Sequence, residues 1–172
     1  MRCGLLAAVA ATVLAGAVGA QAPGPKAVAQ LEPTTGNAAT GTATFEQRGT
    51  KVAIVVEVRG LRPNAEHGFH VHEKGDCSSG DGMSAGGHFN PKGAPHGPPG
   101  AGPHHAGDMP MLKADAAGVA KLAWDADELT VTDGPASVVG RGVIVHRDPD
   151  DFKTQPTGNS GPRIACGVVR RM

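Results

Sequence analysis

Tyrosine is absent from this 172-residue chain, which holds only one Trp and four Phe. An aromatic-rich core is therefore excluded, and the interior must be built from Val, Ile, Leu and Ala. An excess of charge is missing too: 16 Lys and Arg balance 16 Asp and Glu. With no basic stripe along the chain, nucleic acid is not an expected partner, and any attraction of a charged ligand must be local. The three cysteines form no Cys-x-x-Cys pair, which rules out a thiolate zinc site. No amphipathic segment is long enough to predict a substantial helix, and no internal repeat is visible.

Glycine and proline are plentiful, at 26 and 14 residues. Such a composition goes with short strands and many turns. In TKVAIVVEVRG, Val52, Ile54, Val56 and Val58 share one face, a half-buried antiparallel strand. Thr40 to Gln47 reads as its hairpin partner, turning near Arg48-Gly49. Further strands are expected at His67–His72, in GVAKLAW (118–124), in GRGVIVH (140–146) and in RIACGVV (163–169). Two segments break this rhythm. Residues 75–110 contain ten Gly and six Pro among 36 positions, and residues 147–162 form a second loop. Loops this long inside a compact domain are usually functional or disordered.

Residues 1–20, MRCGLLAAVAATVLAGAVGA, read as a secretory leader: Arg2 starts it, an apolar run follows, and Val18-Gly19-Ala20 offers a cleavage site. The 17-residue run from Gly4 to Ala20 is short for a membrane span. Loss of the leader removes Cys3 and leaves Cys77 and Cys166, an even pair that reads as one disulfide in an oxidising compartment. Chain entropy gives a loop of that length roughly 4–5 kcal/mol of stabilisation, strain ignored.

All eight histidines lie beyond the leader. In a strand, residues i and i+2 point to one face, so His70 and His72 stand side by side in HGFHVHEKGDC while Val71 faces away. A second group, His96, His105 and Asp108, lies on the first long loop. With His88 added, it has the composition of a three-histidine, one-carboxylate zinc site. His146 ends an apolar strand that can lie beside the His70/His72 strand. Neutral imidazole suits copper and zinc, so this clustering points to a metal centre.

Taken in order, HGFHVHEKGDC, GGHFNP, HHAGD, GRGVIVH and GNSGPRIACG resemble the copper,zinc superoxide dismutase family. The resemblance runs from Thr40 to the C-terminus. It implies an all-β, eight-stranded Greek-key β-barrel, a flattened sandwich with two long functional loops, over residues 39–172, after an N-terminal extension at 21–38. It assigns copper to His70, His72, His88 and His146, and zinc to His88, His96, His105 and Asp108, with His88 bridging. The family spacing His-x-Gly-Asp favours His105, with His104 as the alternative. Asp150 matches a carboxylate that orients ligands of both metals, and His67 matches a structural core histidine. Arg163 matches the guanidinium at the copper-site mouth, and Cys77–Cys166 matches the family disulfide. The implied reaction takes two superoxide anions and two protons to dioxygen and hydrogen peroxide, with His88 as proton donor. One departure stands out: Pro156 occupies the place of a family lysine, and Lys153 is the nearest substitute. The long Cys77–His88 segment and the alanine-rich leader resemble bacterial periplasmic members, which occur as monomers and as homodimers.

Overall fold

The computed structural model describes residues 24–172; the expected leader, residues 1–20, lies outside them. Alternation of apolar residues builds the first half of the wall. Strand β2 (Thr40–Arg48) and strand β3 (Lys51–Arg59) form a hairpin in which Arg48 pairs with Lys51, Phe45 with Ile54 and Thr40 with Arg59. The turn is Gly49-Thr50, and Gly49 takes φ +59°, the left-handed conformation that two-residue hairpin turns favour. Val52, Ile54, Val56 and Val58 are all buried, whereas Val55 is 54% exposed.

One expectation needs correction. Residues 21–38, read as an extension ahead of the domain, contain strand β1 (Lys26–Pro33), which lies within the sheet beside β2. Its Ala27, Ala29 and Leu31 alternate and are buried. Two of these three side chains are methyl groups, so the period-2 signal was present but weak.

The expected strand at His67–His72 is broken at Gly68 into β4 (Glu66–His67) and β5 (Phe69–His72). The remaining strands are β6 (Leu112–Lys113), β7 (Ala120–Ala126), β8 (Gly142–His146), β9 (Arg163–Val168) and β10 (Arg170–Arg171). Antiparallel pairing runs β5–β8–β9–β1–β2–β3–β7, with β10 also on β1 and β4 paired with β6. An Ala114–Ala120 bridge joins the end of β6 to β7, and β4 runs on into β5, so pairing continues round the whole circuit. Counting β4/β5 and β9/β10 each as one interrupted strand gives the eight expected. The neighbours β3/β7, β5/β8 and β9/β1 are not consecutive, which is Greek-key connectivity.

The core inside this wall is aliphatic, built around Leu31, Ile54, Val56, Val71, Leu112, Val143 and Val145, with Phe45 and Phe69 as its large members. The two long loops lie mostly outside it, but Phe89, Ala106 and Met109 of the first loop join the core. A single short 3₁₀ turn, Met83–Ala85, is the one helical element among the described residues. Cys77 and Cys166 are disulfide-bonded, their Cα atoms 5.8 Å apart, which fastens the first loop to β9.

Candidate metal centre

Strand periodicity sets the site on the outer face of the wall. Phe69 and Val71 enter the core, so His70 and His72 point the other way. On the adjacent β8, Val143 and Val145 are in the core while Ile144 packs in a separate cluster with Ala85 and Cys166. His146 follows a bulge after Val145, and its N–H donates to the Gly68 carbonyl at 2.8 Å. The first loop then lays two short segments against β5. Phe89 N–H donates to the Val71 carbonyl (2.8 Å), Val71 N–H to Gly107 (2.9 Å) and Gly107 N–H to Phe89 (2.9 Å). This brings His88 beside His72 and Asp108 beside His70. Gly107 is required there, because a Cβ would run into the Val71 carbonyl.

Two buried quartets result. One comprises His70, His72, His88 and His146, the other His88, His96, His105 and Asp108; within each, the donor atoms lie within 4.8 Å of one another. His88 belongs to both. His146, separated from His70 by most of the domain in sequence, has its ring centroid 4.9 Å from that of His70 and 5.7 Å from that of His72.

Hydrogen bonds on the far side of each ring fix which nitrogen is free. His72 Nδ1–H donates to the Gly86 carbonyl (2.9 Å), and His146 Nδ1–H to Gly161 (3.0 Å). The two oxygens of Asp150 accept from His70 Nε2 (2.7 Å) and His96 Nε2 (3.0 Å). What remains within the quartets is His70 Nδ1, His72 Nε2, His88 Nε2, His96 Nδ1 and His146 Nε2, all buried and without hydrogen-bond partners among the described residues. His96 Nδ1 does sit 3.0 Å from Asp108 Oδ1, but out of line for a hydrogen bond. Buried polar atoms are rarely left unpaired. Several such lone pairs converging on one point is the donor set of a metal ion, and the residues fit copper and zinc.

The electrostatics favour neutral, ligand-ready rings at His70, His72, His88 and His146. Burial holds His70, His72 and His146 below the ordinary histidine range, the last two far below it. Burial likewise brings His88 to about 4. The carboxyls of Asp108 and Asp150 are held well below the usual range, since hydrogen bonds from the histidines outweigh the burial that would raise them. For His96 burial pushes down, yet those two carboxylates prevail and lift it to about 9.

The other expected residues fall as follows. His104 stands outside both quartets, its Nδ1 bonded to the Gly102 carbonyl (2.9 Å). His67 is buried beneath the site, with Nδ1 bonded to the His146 carbonyl (2.9 Å). The half-buried Arg163 donates to the carbonyls of Gly82 (2.7 Å) and Gly86 (2.6 Å), so Gly86 serves both Arg163 and His72. Lys153 is exposed on the second loop. Sequence reasoning missed Phe152, whose ring stacks near His96, and Gln155, which bonds the His96 backbone. Neither follows from a spacing rule.

A sequence model of the family described as Copper/zinc superoxide dismutase (SODC) matches residues 39–169. The chain belongs to this family. A superoxide dismutase (Cu-Zn) of Candida glabrata is 45% identical over 152 residues, covering 84% of this chain and 96% of the relative. One from Deinococcus radiodurans is 40% identical over 145 residues, covering 76% and 77%. Among solved structures, the clock protein EA4 has a TM-score of 0.78 at 37% identity, covering 90% of this chain and 98% of its own. A double mutant of a SOD-like protein from Bacillus subtilis has a TM-score of 0.72 at 38% identity, covering 82% and 95%. The copper,zinc dismutase described here is thus an oxidoreductase whose substrate is superoxide and whose cofactors are copper and zinc. None of the described helices is long and apolar enough to cross a membrane.

Proposed function

We propose that the quartet His70, His72, His88 and His146 holds copper and that His88, His96, His105 and Asp108 hold zinc. The single observation that carries this assignment is the sharing of His88 between an all-imidazole set and a set with one carboxylate. When bound, copper supplies reversible one-electron transfer, and zinc, with no accessible redox state, supplies fixed positive charge. His88 is the proton-handling residue: its Nε2 is buried in the first quartet, while Nδ1 lies 2.8 Å from Asp108 Oδ1. Asp150 orients His70 and His96 together, one oxygen to each. Arg163 draws the anion in; two backbone carbonyls hold its guanidinium, and the Cys77–Cys166 disulfide ties the loop that carries them to β9.

The leader and the disulfide support export to a periplasm or another extracytoplasmic space. In that setting the mature chain starts near Gln21 and works as a monomer or a homodimer. Purified protein is expected to carry copper and zinc in equal amounts and to remove superoxide at a rate that chelation abolishes and both metals restore. Metal-replete protein without this activity would overturn the reading.

A further inference from the structure

His96 lies in the Gly- and Pro-rich part of the first loop, where no strand or helix organises the chain. Among the described residues its backbone N–H and carbonyl make no backbone hydrogen bond. One side chain from the other loop takes both. His96 N–H donates to Gln155 Oε1 at 2.9 Å, and Gln155 Nε2 donates to the His96 carbonyl at 2.9 Å. The amide thus plays the part of a neighbouring strand, offering a donor and an acceptor in one plane.

The ring of His96 is held separately. Asp150 Oδ1 accepts from Nε2, Phe152 stacks at a centroid distance of 6.5 Å and an angle of 16°, and Gly158 lies so close that a Cβ would collide with both Asp150 and His96. A ring pinned only at Nε2 can still pivot about that bond. Backbone fixation removes the pivot and sets where Nδ1 points.

We infer that Gln155 is a positioning residue for the second quartet: its amide locks the His96 backbone and thereby governs how tightly zinc is retained. This rests on the proposal that zinc occupies that quartet. Only the side-chain amides of Gln and Asn place an N–H donor beside a carbonyl acceptor in one plane, and Asn is one methylene shorter. Glu keeps the length and the acceptor but loses the donor to the His96 carbonyl.

The test uses the full mature protein, disulfide intact and loaded with both metals, as wild type, Gln155→Ala and Gln155→Glu. Zinc and copper affinities are measured by chelator competition, and cobalt is placed in the zinc quartet to read its visible d–d bands. In both variants zinc affinity is expected to fall roughly 10–100-fold, the usual cost of losing an outer ligand support. The cobalt bands should shift and copper affinity should stay unchanged. Gln155→Glu preserves side-chain size, so it carries the test if the alanine variant folds poorly. Unchanged zinc affinity and cobalt bands, or equal loss of copper and zinc, would overturn the inference. Wild type that takes up no cobalt or zinc in this quartet would instead overturn the underlying assignment, and this inference with it.

Discussion

Four imidazoles in this site sit below the ordinary titration range because burial penalises the charged ring, and this has a measurable consequence in the metal-free protein. The unfolded chain protonates these rings near 6.5, whereas folded His88 resists down to about 4. The unfolded state then binds more protons, so stability falls as pH drops from about 6.5 towards 4. Asp108 and Asp150 act in the same direction at still lower pH: their depressed values stabilise the fold above the unfolded carboxyl range, and that benefit is lost on acidification. His96 has the opposite sign. Raised to about 9, it contributes fully below 6.5 and loses its contribution as pH rises through 9. Urea unfolding of metal-free protein across this range is expected to give greatest stability near neutrality with a steep acid limb. A flat acid limb would contradict the burial of these rings.

At the level of elements, the ligand-bearing strands are covered on both sides, by the core within and by the loops without. Every residue of β5 and β8 is buried, which is why GVIVH reads as a continuous apolar run ending in a histidine. The alternation of β3 and the His-x-His step were legible because each follows directly from strand period. The rest was legible unevenly. Alanines muted β1, Gly68 divided a strand with no outward sign, and β6 and β10 are two residues each, too short for any periodicity. The loops could be located by composition, but their folding could not. Their shape depends on single long-range bonds such as Gln155 to His96 and Arg163 to Gly86. The disulfide is the covalent member of that set, closing a separation of 89 residues. Cys166→Ser is expected to lower unfolding free energy by about 2–5 kcal/mol. It should also slow turnover, because the carbonyls that hold Arg163 lie on the freed loop. Urea titration and superoxide decay on one preparation would check both.

The full 172-residue chain carries no formal net charge, and loss of the leader with Arg2 would leave one net negative charge, so long-range attraction of superoxide has no global source. On the proposed assignment Arg163 is the local one, and Lys153 adds exposed positive charge on the second loop. Arg163→Ala is therefore expected to lower the second-order rate most at low ionic strength, with copper and zinc content unchanged. The difference from wild type should shrink as salt rises past about 0.1 M, where screening acts within roughly 10 Å. Equal rates at low salt would remove Arg163 from substrate guidance.

Because His88 stands in both quartets, it is the common corner of two polygons. Any replacement there opens both figures at once, so on the proposed assignment the loss of either metal from such a variant cannot be traced to one quartet alone. Separate dissection has to begin at corners that only one figure owns, His72 or His146 for the first and His105 for the second.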